Sequence, residues 1–476
     1  MSENSKTLLG RRRVLMSFGT VGIGAIAGCS GNDNGDTSTT RGEDNKDIED
    51  ENNKSINNGD NSNNSESNNT GETDGENNGD SEYTLTFEHP DSVLPDQAFE
   101  MVVNGLPADE TIEIRVGDPG RVRSATAKIH TDNSEEFNVS KASVIGGDVP
   151  QDIDVPLPVV LNQFVGTTYR NSQTSGSRTV RYGIAVDNEE IGSTTVRRQH
   201  PNLGSATKIN NSNIVGELFE STEDGSRPGV ITLHGAGANQ LRYRSGLLAQ
   251  HGFTTLALQY FGAPELPNEL AEIPLEYVES AIEWLLDHPS VEGDQIELLG
   301  FSKGAELALQ VGSRFESVGS VVSISGSGVT WQAVRGDEMT SSWTLNGEPV
   351  PYISYGEREA SLRESYIKSF EEAGEKEIEE AIIPVENIDG PVLFISGIED
   401  EVWDAVRFQR VAEQRLSSHD HSNFKHLIYE DAGHVITPPY LPLHVGTAGT
   451  SKGNAEASHD HWPHIRDTLS RVTESN

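Results

Sequence analysis

"QIELLGFSKGAELALQVGSRFESVGSVVSISG", residues 295–326, decides the fold. It opens on a short apolar run suited to a buried strand. Its middle, "KGAELALQVGSRF", repeats apolar positions with a helical period, and "VGSVVSISG" is strand-like again. Strand, helix and strand in so short a span form the unit of a parallel sheet. Ser302 stands where the first strand gives way to the helix, framed by Gly300 and Gly304. In a G-x-S-x-G elbow the serine occupies a strained turn that exposes its hydroxyl above the sheet. The same five residues also suit an ordinary glycine-rich turn, so the partners of Ser302 must decide.

The alternation continues on both sides. Upstream lie strand "RPGVITLHG" (227–235), helix "RSGLLAQHG", strand "TTLALQY" and helix "LEYVESAIEWLLDHP". Downstream lie strand "PVLFISG" (391–397), helix "DAVRFQRVAEQRL" and strand "FKHLIYE". Residues 205–476 therefore read as a mostly parallel sheet with helices on both faces. The stretch 332–385 is poorer in strand signals and is expected to form an inserted cap.

Residues 83–204 have another texture. "YTLTFEHP", "AFEMVVNGL", "TIEIRVGD" and "VRYGIAVD" alternate with period two between turn residues, as antiparallel strands with one buried face do. No long helical period precedes about residue 240, and the expectation is a small β-sandwich without catalytic residues.

Residues 30–82 are a linker. Over 31–82 there are 14 Asn and 15 acidic residues with almost no large apolar side chains, too little to offset ordering entropy. Asn68 there lies in an Asn-x-Thr glycosylation pattern. Residues 1–29 have the layout of an export signal: an arginine cluster, the 15-residue uncharged stretch Val14–Gly28, then Cys29. That stretch is short of the ~20 residues a membrane span needs. Arg11 and Arg12 resemble a twin-arginine signal, and "IAGC" (26–29) resembles a lipobox whose cysteine is lipidated. Cys29 is the single cysteine, so no intrachain disulfide and no cysteine metal cluster can form. The expected location is the outer face of the cytoplasmic membrane, reached by export and held by a lipid on Cys29.

With 75 acidic against 35 basic residues, the formal net charge is −40. No cationic excess exists to displace phosphate counterions, which argues against a nucleic-acid partner. A high-salt milieu, where self-repulsion is screened, accounts for such a balance.

A serine nucleophile needs a base and an orienting acid, in the chain order Ser, acid, His for this type of sheet. Asp400 follows "PVLFISG" by three residues, and His434 follows "FKHLIYE" in "EDAGHVITPPY". His434 would take the serine proton while Asp400 fixes its tautomer and stabilises the imidazolium. Glu399 is the alternative acid. Oxyanion donors are expected from the backbone N–H groups of Lys303 and of Ala236 in "LHGAGANQ". His234 reads as structural rather than as a base. Lys303, unfavourable at a helix N-terminus, reads as paired with Glu306 or else as a contact for an anionic substrate group. The "HDH" runs at 419–421 and 459–461 read as solvated surface, so no metal is assigned, nor any cofactor or oligomeric state.

"GVITLHGAGANQLRYRSGLLAQHGFTTLALQYFGAPELP", "LLGFSKGAELAL", "SGSGVTWQ", "SSWTLNGEPVPY", "IPVENIDGPVLFISGIEDEVW" and "DAGHVITPPYLP" occur in this order across about 225–470. They resemble the acyl-CoA thioester hydrolases and bile acid-CoA:amino acid N-acyltransferases. "NGLPADETIEIRV" extends the likeness weakly into 83–200. The resemblance implies an α/β-hydrolase domain preceded by an immunoglobulin-like β-sandwich, with Ser302 as nucleophile, Asp400 as acid and His434 as base. Amino-acid-conjugating members carry cysteine at the nucleophile position, so serine implies hydrolysis. One departure is "DIDVPLPVVLNQF" in place of a tryptophan-containing segment, which bears on acyl-chain preference. Three readings stand: hydrolysis of acyl-CoA thioesters, esterase activity of an exported enzyme with the same residues, and a non-enzymatic surface module. The intact residue set disfavours the last.

Overall fold

The computed structural model describes residues 73–74 and 83–471, apart from 118–123, 166–174, 211–213, 223, 335–338, 357–358, 444–445 and 447. The export signal, Cys29, Asn68 and almost the whole linker lie outside the described residues.

The large sheet has eight strands: β1 (Thr207–Asn210), β2 (Val215–Phe219), β3 (Arg227–Leu233), β4 (Thr254–Gln259), β5 (Val291–Phe301), β6 (Val318–Ile324), β7 (Val392–Gly397) and β8 (Phe424–Tyr429). Their spatial order is β1-β2-β4-β3-β5-β6-β7-β8. β1 and β2 pair antiparallel, as do β2 and β4; every later pairing is parallel. This is the α/β-hydrolase fold that the sequence resemblance implied. Among the described residues seven helices accompany it: α1 (Arg242–Gln250), α2 (Leu275–Leu286), α3 (Lys303–Gly312), α4 (Leu362–Glu372), α5 (Glu375–Ala381), α6 (Ala405–Ser418) and α7 (Ser451–Leu469).

Strand alternation divides the core. Ile231, Leu298, Val321 and Phe394 face one side, packed with Leu275, Val278 and Ile282 of α2 and Leu307 of α3. Val230, Leu299, Val322 and Leu393 face the other, packed with Leu247 of α1 and Trp462 of α7. α2 buries Leu275, Val278, Ala281, Ile282 and Leu285, a stripe at helical spacing that explains its docking. Every residue of β6 is buried, as expected of a central parallel strand.

The chain between β6 and β7 holds α4, α5 and a small sheet in which Trp343–Leu345 pairs with Ile273–Pro274 and Glu348–Pro349. It supplies the cap.

Residues 83–199 form two further sheets. Thr86–Glu88, Val102–Asn104 and Glu136–Asn138 lie in a four-stranded antiparallel sheet with Thr73–Asp74. The second has six strands, including Thr111–Val116, Ala125–His130, Ser177–Val186 and Glu189–Gln199. They share a core that also takes in Tyr440, Leu443 and Ala455 from the hydrolase part. Asp96 Oδ2 accepts hydrogen bonds from Trp462 Nε1 (2.6 Å) and His251 Nε2 (2.5 Å), fixing this region to α7 and α1. One element departs from the expected all-strand texture: Leu157–Phe164 within "DIDVPLPVVLNQF" is helical. Six of its eight residues are buried, and at about two turns it is too short to establish a helical period in the sequence. Its Gln163 carbonyl accepts a 3.0 Å hydrogen bond from Leu443 N, on the segment that leaves His434.

Candidate active site

Ser302 directly follows β5 and caps the N-terminus of α3 with φ 55° and ψ −123°. That conformation costs a non-glycine residue about 1–3 kcal/mol. It is held by the Ser302 N–H, which donates to Ile324 O on β6 at 2.8 Å, and by the burial of the whole of α3. The flanking glycines are needed for space. A Cβ on Gly300 would lie 2.2 Å from Gly304 O, and one on Gly304 would lie 2.3 Å from Leu233 O and 2.4 Å from His234 O. The turn can be this tight only with hydrogens at both positions.

His434 Nε2 lies 3.0 Å from Ser302 Oγ, and His434 Nδ1 lies 2.7 Å from Asp400 Oδ2. Because the carboxylate accepts a hydrogen bond from Nδ1–H, neutral His434 presents Nε2 as an acceptor to the serine hydroxyl. Asp400 is fully buried, and its Oδ1 accepts from Val402 N (2.8 Å) and Trp403 N (3.2 Å). Glu399, the alternative acid, is exposed.

Each loop is fastened from elsewhere. Ser325 Oγ donates to His434 O at 2.8 Å, and Asn454 Oδ1 of α7 accepts from Gly433 N at 2.9 Å. Trp403 Nε1 donates to Ser325 O at 2.9 Å. From the cap, Arg363 Nη1 donates to Ile398 O (2.7 Å) and Asp400 O (2.8 Å). Arg363 and Asn454 carried no motif that would have marked them; Ser325 and Trp403 lay within blocks already singled out, but with no role assigned to them.

Lys303 is the first residue of α3, so its N–H has no intrahelical acceptor. The loop carrying Ala236 runs against the elbow, since a Cβ on Gly235 would lie 3.1 Å from Ser302 Cβ. His234 is buried with its ring stacked on Tyr260 at 4.2 Å, its Nδ1 against Gly235 O at 2.8 Å. Burial pushes its pKa down to about 4, and its contacts are those of a structural residue.

The Lys303 side chain does not reach solvent; its Nζ lies 2.7 Å from Glu306 Oε1. The "HDH" run at 459–461 is only partly the solvated surface expected: Asp460 is exposed and His459 half-buried. It lies inside α7, where His461 is fully buried and pushed down to about 3 by burial. The sequence reading missed α7 because the buried face of its first half is Gly453, Asn454, Ala455, Ala457 and Ser458, and the large apolar residues Trp462, Ile465 and Leu469 enter only in its second half.

A serine hydroxyl, an imidazole held in one tautomer and a buried carboxylate form a chain able to deliver an alkoxide-like nucleophile. Residues 273–465 match the family model described as BAAT / Acyl-CoA thioester hydrolase C terminal. The peroxisomal succinyl-coenzyme A thioesterase of Mus musculus is 27% identical over 422 residues, 80% of this chain and 95% of that protein. Acyl-coenzyme A thioesterase 6 of Homo sapiens is 27% identical over 424 residues, again 80% of this chain and 95% of that protein. Among solved structures, a Pyrococcus furiosus esterase is 16% identical and covers 57% of this chain and 93% of its own, with a TM-score of 0.37. The resemblance read from the sequence blocks is borne out by the family model and these relatives.

Proposed function

We propose that this chain is a serine acyl hydrolase that cleaves acyl-CoA thioesters to the free acid and CoA. The observation that carries the reading is the continuous hydrogen-bonded chain from Ser302 Oγ through His434 to buried Asp400. Ser302 Oγ attacks the thioester carbonyl as His434 Nε2 takes its proton. The tetrahedral oxyanion is met by the N–H groups of Lys303 and Ala236. On collapse the C–S bond breaks, His434 returns the proton to the departing thiolate, and an acyl-serine remains. Water, deprotonated by His434, then attacks the ester, releasing the carboxylic acid and restoring Ser302. Asp400 holds the imidazolium through both halves.

The test compares wild type with Ser302→Ala on palmitoyl-CoA and on a p-nitrophenyl ester, in high salt. The variant should keep the fold and lose both activities; full activity in Ser302→Ala overturns the mechanism. A wild-type kcat/KM that favours the thioester supports the CoA reading. Cleavage of the oxygen ester alone would make this an exported esterase using the same residues.

For location, we infer export through residues 1–29 and anchoring at Cys29, supported by the arginine cluster, apolar stretch and "IAGC". Cys29→Ser should shift the protein from the membrane to the soluble exported fraction; unchanged membrane retention refutes the anchor.

A further inference from the structure

α3 is buried on every side, so Lys303 and Glu306, the two charged residues in its first turn, have no route to water. Burying a lysine at a helix N-terminus is unfavourable twice over, through desolvation and through the helix dipole. Glu306 offsets both. Its Oε1 accepts from Lys303 Nζ (2.7 Å), from Trp343 Nε1 (2.7 Å) and from Trp331 N (3.3 Å). Lys303 Nζ also lies 5.3 Å from the centroid of the Trp343 ring. Trp331 and Trp343 both come from the chain between β6 and β7. One carboxylate oxygen therefore joins the helix that begins at the nucleophile to the cap above it. Burial pushes the Lys303 ammonium down and the Glu306 carboxyl up, and their mutual attraction opposes both shifts.

The network reaches the opposite wall of the site. The Tyr260 ring lies 6.0 Å from that of Trp343, stacks on His234 and sends its hydroxyl to the His234 carbonyl. His234 opens the loop that carries Ala236. Both proposed oxyanion amides are thus attached to one buried cluster.

We propose that Glu306 is a positioning residue for acyl transfer. Through the side chain of Lys303 and the two cap tryptophans it sets the orientation of the Lys303 N–H toward the developing oxyanion. This rests on the serine-hydrolase reading above. Misplacing such a donor slows the chemical step without weakening ground-state binding, so the loss falls on kcat and leaves KM unchanged.

The experiment uses the full chain and two readouts: the rate at which a fluorophosphonate labels Ser302, and kcat and KM on palmitoyl-CoA. Lys303→Met strands a buried carboxylate and lowers Tm. K303M/E306Q removes the charge imbalance while keeping an acceptor for both tryptophans, so Tm recovers. Positioning predicts that Ser302 labelling and kcat stay about 10- to 100-fold below wild type at unchanged KM in that double variant. Recovery of Tm, labelling and kcat together overturns the proposal and leaves the pair a charge-balancing device. Trp343→Phe, which deletes only one donor to Glu306 and keeps an aromatic ring, supplies a second decision that does not depend on the double variant folding. A severalfold fall in kcat supports the proposal, and unchanged kcat refutes it. Wild type that fluorophosphonate does not label at Ser302 would instead overturn the serine-hydrolase reading, a separate failure.

Discussion

Asp400→Asn tests the tautomer logic of the site most directly, because the surroundings fix which way the new amide must point. Oδ1 of Asp400 accepts two backbone N–H groups, those of Val402 and Trp403, whereas Oδ2 meets only His434 Nδ1. Turning the amide nitrogen toward the backbone would leave two buried donors unsatisfied, at about 1–3 kcal/mol each. A histidine changes tautomer far more cheaply. The amide oxygen therefore stays on the backbone donors and the NH2 faces His434. Nδ1 must then accept, which puts the ring proton on Nε2, facing Ser302 Oγ, where no base remains. A loss of about 10⁴-fold in kcat is expected, equivalent to about 5.4 kcal/mol of transition-state stabilisation. The assay is kcat/KM on both acyl substrates, with near-UV circular dichroism and Tm to show that the fold persists. Activity within tenfold of wild type, with His434→Ala inactive, would refute the reasoning. Loss of activity in Glu399→Gln in that event would identify the neighbouring carboxylate as the acid.

Gly300→Ala places a methyl 2.2 Å from Gly304 O and 2.5 Å from Ala305 Cα, both backbone, so it should destabilise by about 3 kcal/mol or more. An unchanged urea midpoint would show that the elbow is looser than described. His461 is held neutral, its pKa pushed down to about 3 by burial. Between that value and the ordinary 6.5 the unfolded chain binds a proton that the folded chain does not. Stability is therefore complete above pH 6.5 and is lost as pH falls toward 3, by about 1.4 kcal/mol per pH unit from this residue. Tm measured from pH 7 to pH 4 should fall less steeply in His461→Gln, whose amide can still donate to Ala457 O; parallel curves would refute the assignment.

The parts legible in the sequence share a physical trait: each is decided by local pattern. β3, β4, β6, β7 and the end of β5 are buried runs because both faces of the sheet are covered there, while β8 at the edge is only half-buried; Ser302, Asp400 and His434 follow β5, β7 and β8 within a few residues. The parts that were not legible are decided by distant packing. β1 is largely exposed and polar, with Thr207 and Lys208 open to solvent, so it shows no run at all. The first half of α7 buries small residues that announce no hydrophobic stripe, and only its second half shows one, in Trp462, Ile465 and Leu469.

Lys303 and Glu306 show the difference most clearly. A lysine and a glutamate three residues apart on a helix ordinarily form a solvated pair worth a few tenths of a kcal/mol. Ala305, Leu307, Ala308, Leu309 and Val311 cover one broad face of α3, and Lys303, Glu306 and Gln310 share the other, the pattern of a half-exposed helix. In the structure the polar face is buried as well, and the charged pair persists there with Trp331 and Trp343 adding donors to Glu306 Oε1. Sequence could not have located those donors, which lie 25 and 37 residues further along the chain, in the cap. The cap also reaches the acid loop through Arg363, whose guanidinium holds the carbonyls of Ile398 and Asp400. Nucleophile helix and acid loop are therefore braced from the same insertion. A cap that only covered the site could be exchanged without cost to the chemistry, whereas one that holds both loops cannot be.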